Sequence, residues 1–167
     1  HVKLGNETPD FMMGFNNRVS CGDVSVVAHF DWKKGGQNVN LQELIADLGG
    51  TTYDFDDTGV DPEGNLNNGP YRLANLGSLT RPYVQDAGYF RLSELSVMYS
   101  LPKSMLGSAN VDRVQVGFTG RNLYQNTPYN GWNPDVSQFG NVGVGGSVDT
   151  GPYPLAKSMY LSVNVSF

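Results

Sequence analysis

The densest set of chemically capable side chains is the run D-F-D-D-T-G-V-D-P-E-G-N, which holds Asp54, Asp56, Asp57, Asp61 and Glu63. Hard cations such as calcium take several oxygen ligands, so Asp54, Asp56, Asp57 and Asp61 are candidate metal ligands. The spacing departs from the EF-hand pattern: Thr58 stands at its fifth position, and Asn65 where a bidentate Glu belongs. A solvated acidic loop is the simpler reading. A second set is aromatic. Tyr124, Tyr129, Trp132 and Tyr153 lie close in sequence, with Asn130, Asn133 and Asp135 among them. Flat rings beside hydrogen-bonding groups suit sugar faces and peptide chains alike. Tyr124, Tyr129, Trp132, Asp135 and Tyr153 are therefore candidate ligand contacts. The competing readings are an interfacial aromatic belt and packing within the loop.

Nothing else has the spacing of a reaction centre. His1 and His29 are far apart, and no H-x-x-H or C-x-x-C pair suits zinc. Cys21 is the single cysteine. It cannot form an internal disulfide, has no local base, and reads best as a small buried hydrophobe. There is no G-x-S-x-G elbow. The V-G-V-G-G run from Val142 follows no buried strand and opens no helix, so a flexible external loop fits it better than a phosphate cradle. No catalytic residue, enzyme activity or cofactor is expected.

The elements that position these residues are strands. From Met159, apolar Met159, Leu161, Val163, Val165 and Phe167 alternate with Ser158, Tyr160, Ser162, Asn164 and Ser166. That period of two gives one apolar and one polar face. Strands are expected over about 11–21, 24–32, 89–101, 111–124 and 156–167. Most reach the roughly 9 to 11 residues that a tilted membrane-crossing strand needs. Gly22-Asp23 is a tight turn and Pro102 to Asn110 a compact one, whereas 33–88 and 125–155 are long and polar. Leu41 to Leu48 has helical spacing, with Leu41, Leu44, Ile45 and Leu48 expected as a packing face. Gly supplies 21 of the 167 residues, against about 7% on average, which suits long turns and loops. Asp and Glu (16) outnumber Lys and Arg (11), so there is no basic footprint for nucleic acid. Short turns at one end and long loops at the other are the layout of bacterial outer-membrane barrels. The fold expected is all-β: the last five antiparallel strands of a large transmembrane β-barrel, long loops extracellular, Phe167 periplasmic. Five strands cannot close a barrel, so an upstream portion is expected, and any plug domain falls outside this chain.

Several runs are similar to one family. Gly88-Tyr89-Phe90-Arg91-Leu92 through Tyr99-Ser100-Leu101-Pro102, Gly120-Arg121-Asn122-Leu123-Tyr124, Y-N-G-W-N-P-D-V from Tyr129 to Val136, and Tyr153-Pro154-Leu155-Ala156-Lys157 with the strand to Phe167 resemble segments of SusC/RagA-type TonB-dependent outer-membrane receptors. Gly5 to Phe11 and Gly14-Phe15-Asn16-Asn17 resemble an earlier segment, and all of them occur in the family's order. The stretch from Gly35 to Asp86 carries no such match.

The resemblance implies a plugged barrel of about 22 strands that imports oligosaccharides or peptides. It implies a SusD-like surface lipoprotein as partner and energy supplied by TonB through an upstream segment. It also implies that Phe167 ends the assembly signal read by the barrel-insertion machinery. Two alternatives stay open: an outer-membrane barrel with a structural or adhesive role, and a soluble carbohydrate-binding β-domain.

Overall fold

A computed structural model of the chain describes residues 2–106, 111–136 and 147–167. Its elements in chain order are β1 (Pro9–Cys21), β2 (Val24–Gly35), β3 (Gln37–Asn40), α1 (Leu41–Leu48), α2 (Asn68–Ala74), β4 (Val84–Asp86), β5 (Tyr89–Ser100), α3 (Lys103–Leu106), β6 (Arg113–Asn126), β7 (Val148–Asp149) and β8 (Ser158–Ser166). They fall into two compact units. The sheet unit holds 12–33, 89–126 and 155–167, and the acidic unit holds 2–11, 34–88 and 127–154.

The sheet unit contains the five antiparallel strands expected from the alternation, in the order β1-β2-β5-β6-β8. Directly opposed residues share a face, so the register sorts side chains row by row. One face carries Val24–Tyr99–Val116–Val163, then Val26–Val97–Phe118–Leu161, then Ala28–Leu95–Gly120–Met159. The other carries Val27–Ser96–Thr119–Tyr160 and His29–Glu94–Arg121–Ser158. That second face carries side-chain polar contacts between strands. Ser96 and Thr119 hydroxyls lie 2.9 Å apart, Gln115 Nε2 donates to Ser100 Oγ at 2.9 Å, and Arg121 Nε lies 3.3 Å from Glu94 Oε2.

A bulge at Ser93 interrupts the strict alternation. Register shifts between Leu92 and Glu94 on β5, opposite Asn122 and Leu123 on β6, and Asn122 has φ 52°. One unpaired residue swaps the parity of everything beyond it. Leu92 and Phe90 therefore join the apolar face, in rows Phe30–Leu92–Tyr124 and Trp32–Phe90–Asn126. The Phe30 and Phe90 rings stack at 5.6 Å. Ser93 turns to the polar side and bonds Asp31.

The turn between β1 and β2 uses Gly22 at φ +55° with no positive φ at Asp23, the pattern of a type II′ hairpin. Cys21, expected to be buried, is exposed beside that turn at the end of the outermost strand.

The segments read as long loops have an architecture of their own. In the acidic unit β3 is central, antiparallel to β4 and parallel to β7. The helix expected over Leu41 to Leu48 is present, capped by Asn40 Oδ1 accepting from the Glu43 N–H at 3.0 Å. Its buried face differs from the expected one. Ile45 and Leu48 are exposed, while Glu43 and Asp47 are buried. Those two acids, one turn apart, share a helix face, and a buried arginine draws that face inward. The V-G-V-G-G run lies outside the described residues.

Candidate functional site

Charge is divided unevenly. The acidic unit carries twelve Asp and Glu against four Lys and Arg, a formal −8; the sheet unit carries four against seven, a formal +3, giving the chain's −5. At the centre of the acidic unit lies Arg72 on α2, whose side chain is 2% exposed. Its Nε and Nη2 donate to Asp47 at 2.6 and 2.7 Å, and Nη1 and Nη2 to Asp54 at 3.0 and 2.9 Å. Glu43 Oε1 stands 3.7 Å from Nη1. Tyr83 donates its hydroxyl to Asp47 Oδ2 at 3.1 Å, and Asn68 Nδ2 donates to Asp54 Oδ2 at 3.1 Å. Planar two-pronged donation makes arginine the cation suited to this place.

One cation thus faces three carboxylates, and two of them, Asp54 and Glu43, are shifted in opposite directions. Hydrogen bonds from Arg72, opposed by burial, hold the Asp54 carboxyl below its ordinary range. Burial lifts the Glu43 carboxyl to about 7, against the pull of Arg72 and helped by the charges of Asp54 and Asp47. Between its ordinary value of 4.5 and about 7, the folded unit keeps a Glu43 proton that the unfolded chain has released. Glu43 therefore stabilises the unit fully below pH 4.5, and that contribution is lost as pH rises to about 7. The Asp54 contribution runs the other way, lost only as pH falls through its depressed value. Amide exchange protection of α1 and α2, corrected for intrinsic rates, is expected to decline between pH 5 and pH 8, and Glu43→Gln is expected to flatten the decline. A wild-type profile that is flat or rises across that window would refute the assignment.

The structure does not gather the acidic run: among the described residues no group of three or more His, Cys, Asp or Glu stands close enough together to hold an ion. Asp54 is committed to Arg72. Asp61 accepts the N–H groups of Glu63, Asn65 and Leu66 at 3.0, 2.8 and 3.0 Å, closing a turn, and these bonds keep its carboxyl low. Asp56 and Asp57 are exposed.

The aromatic candidates separate. Tyr124 sits on β6 in the apolar face of the sheet, in the row of Phe30 and Leu92. Tyr129 is 4% exposed and donates its hydroxyl to the buried Asp149 at 2.7 Å, so it is a packing residue of the acidic unit. Tyr153 is almost wholly exposed, and the Asp135 N–H closes a turn on Asn133 Oδ1. Trp132 lines a concavity, a cleft of about 200 Å³ beside α1. Gln42, Glu43, Thr51, Thr52 and Tyr53 line it as well. The sequence does not single out those residues, because the spacing of α1 points to its leucines. The available signal was Arg72, one of two arginines among the eight acids between Gly35 and Asp86.

No protein-family model matches the chain. It is 31% identical over 172 residues to TonB-dependent receptor P3 of Formosa agariphila, covering 98% of this chain and 17% of that protein. It is 27% identical to TonB-dependent receptor P26 of the same organism, covering 99% of this chain and 18% of that protein. The fold matches a structure of the RagAB peptide importer in its open-open state, with TM-score 0.64, 24% identity, and 96% of this chain against 17% of that one. A second structure, of the RagAB peptide transporter, gives TM-score 0.64 at 20% identity. The chain spans about a sixth of the length of these relatives.

Proposed function

We propose that this chain, which carries the sequence and fold of a segment of a SusC/RagA-type TonB-dependent receptor, forms the last five strands of an outer-membrane barrel that imports nutrients. The observation that carries the reading is the apolar face of the sheet. Leu161 is 83% exposed, Met159 66% and Val163 64%, and each lies in register with apolar or small residues on neighbouring strands. A continuous exposed face of this kind needs a cover, and lipid supplies one. Aromatic residues bound it. Phe90 and Tyr99 are nine positions apart on β5, about 30 Å at ~3.3 Å per residue. A tilt of about 35 to 45° reduces that to between 21 and 25 Å, close to the apolar band of such barrels. The opposite face, with its Glu94–Arg121 and Ser96–Thr119 contacts, lines the lumen.

In this reading the acidic unit is extracellular and Phe167 is periplasmic. A SusD-like lipoprotein is its surface partner, and TonB acts through a segment upstream of this chain. An epitope inserted between the exposed residues Thr58 and Gly59 is expected to be labelled by antibody on intact cells carrying the full-length receptor. Labelling only after permeabilisation would reverse the orientation. Deleting Phe167 is expected to lower the amount of folded receptor in the outer membrane several-fold, because the barrel-insertion machinery reads the final strand. Unchanged levels would remove that role.

A further inference from the structure

We infer that the cleft beside α1 is a binding site for a positively charged, donor-rich group, such as the guanidinium of an arginine-containing peptide. The inference rests on the receptor reading and names a ligand chemistry for one part of it. Three independent features converge. The first is the wall. Trp132 and Tyr53 line the cleft and are 57% and 74% exposed, although each carries a large apolar ring. Exposed aromatic faces attract cations through the ring quadrupole.

The second feature is the supply of acceptors. Gln42 lines the cleft, and its side-chain Oε1 is removed from water without a hydrogen-bond donor. An orphaned buried acceptor costs free energy until a donor reaches it. Thr51 and Thr52 have already donated their hydroxyl hydrogens, to Ala46 O at 3.3 Å and Asp47 Oδ1 at 2.5 Å, and present lone pairs only. Glu43 adds a carboxylate. Arginine has five N–H donors and no acceptor, the complement of such a lining.

The third feature is the field. The unit around the cleft has a formal charge of −8, and its central cation, Arg72, gives four hydrogen bonds to Asp47 and Asp54. An incoming cation would meet no competing positive charge in the lining. The groups facing Glu43 are Asp47 on its own helix, Arg72 on α2, Asp54 on the following turn and Gln85 on β4, with Tyr53, Tyr83 and Tyr129 nearby. Of these only Arg72 is cationic, so a second cation in the cleft favours ionised Glu43. Binding and deprotonation of Glu43 are thereby linked, and affinity increases with pH.

The test uses the full-length receptor in a detergent without a sugar or cationic head group. Saturation-transfer NMR titrations compare the blocked peptide acetyl-Gly-Arg-Gly-amide with its Gln counterpart and with maltohexaose. At pH 7.5 the arginine peptide is expected to bind at least tenfold more tightly than either. Trp132→Ala and Gln42→Leu are each expected to remove most of that preference, with Trp132→Phe restoring part of it. The preference is also expected to shrink by pH 5.5 in the wild type and to lose this pH dependence in Glu43→Gln. Equal binding of the Gln peptide, stronger binding of maltohexaose, binding of no probe, or indifference to Trp132→Ala would overturn the inference. A compact unheated gel band from the same preparation separates these outcomes from failure of the receptor reading, which would abolish that band.

Discussion

Replacing Arg72 by Met is expected to unfold the acidic unit while the five-stranded sheet stays paired. The guanidinium is the single cation held among Asp47, Asp54 and Glu43, and its removal leaves up to three carboxylates facing one another out of water. Deleting one partner of a buried pair costs about 3 to 5 kcal/mol. That corresponds to a factor of about 10² to 10³ or more in the opening equilibrium. Tyr83, 2% exposed and bonded to Asp47, becomes a cleavage site for a protease that cuts after aromatic residues. Limited proteolysis of the full-length receptor in the outer membrane should show cleavage at Tyr83 accelerated by that factor. Arg81→Met is the control. Arg81 is exposed and, among the described residues, its side chain makes a long 3.5 Å contact to Leu4 O, so its loss should matter by no more than about 0.5 kcal/mol. Equal protection of the Arg72 variant and the wild type would show that the buried pairs do not hold the unit together.

The second large effect is expected at Val163. Val163 lies opposite Val116 in the apolar face, and Arg at the middle of a lipid-facing strand costs about 2 to 4 kcal/mol. Ser162, one residue away, lies opposite Gly117 on the other face. Val163→Arg should strongly reduce the folded receptor recovered from the outer membrane, and Ser162→Arg should reduce it much less. Equal damage from both would count against the assignment of faces. The comparison is sensitive because adjacent strand residues differ in little except the side to which they point.

How much of this was legible in the sequence follows from how each part is stabilised. The strands were legible because a half-buried sheet must alternate, and β8 does so from Ser158 to Ser166 without interruption. The bulge at Ser93 was not, since a single unpaired residue leaves composition unchanged and shows only in the pairing of β5 with β2 and β6. Without it, Phe90 and Leu92 fall on the wrong face and the stacking of Phe90 on Phe30 is missed. The acidic unit reads as loop in the sequence because its interior is polar. Its most buried side chains include Asp47, Asn40 and Asp149, residues that composition assigns to solvent. The leucine pattern of α1 misled for the same reason: burying Glu43 and Asp47 against Arg72 outweighed covering Ile45 and Leu48. Among the aromatic candidates, sequence proximity grouped Tyr124 with Trp132, yet Tyr124 belongs to the sheet's apolar face and Tyr129 to the interior of the acidic unit. Nothing local in the sequence distinguishes a tyrosine that packs from one that waits for a ligand.

The central claim is that the apolar face of the sheet meets lipid. Its most direct test is to fractionate cells expressing the full-length parent protein and compare heated and unheated samples by gel electrophoresis. The account predicts an outer-membrane protein whose compact unheated band shifts on boiling, as a closed barrel does. A parent found in the soluble fraction, or one that migrates identically with and without heating, would contradict it.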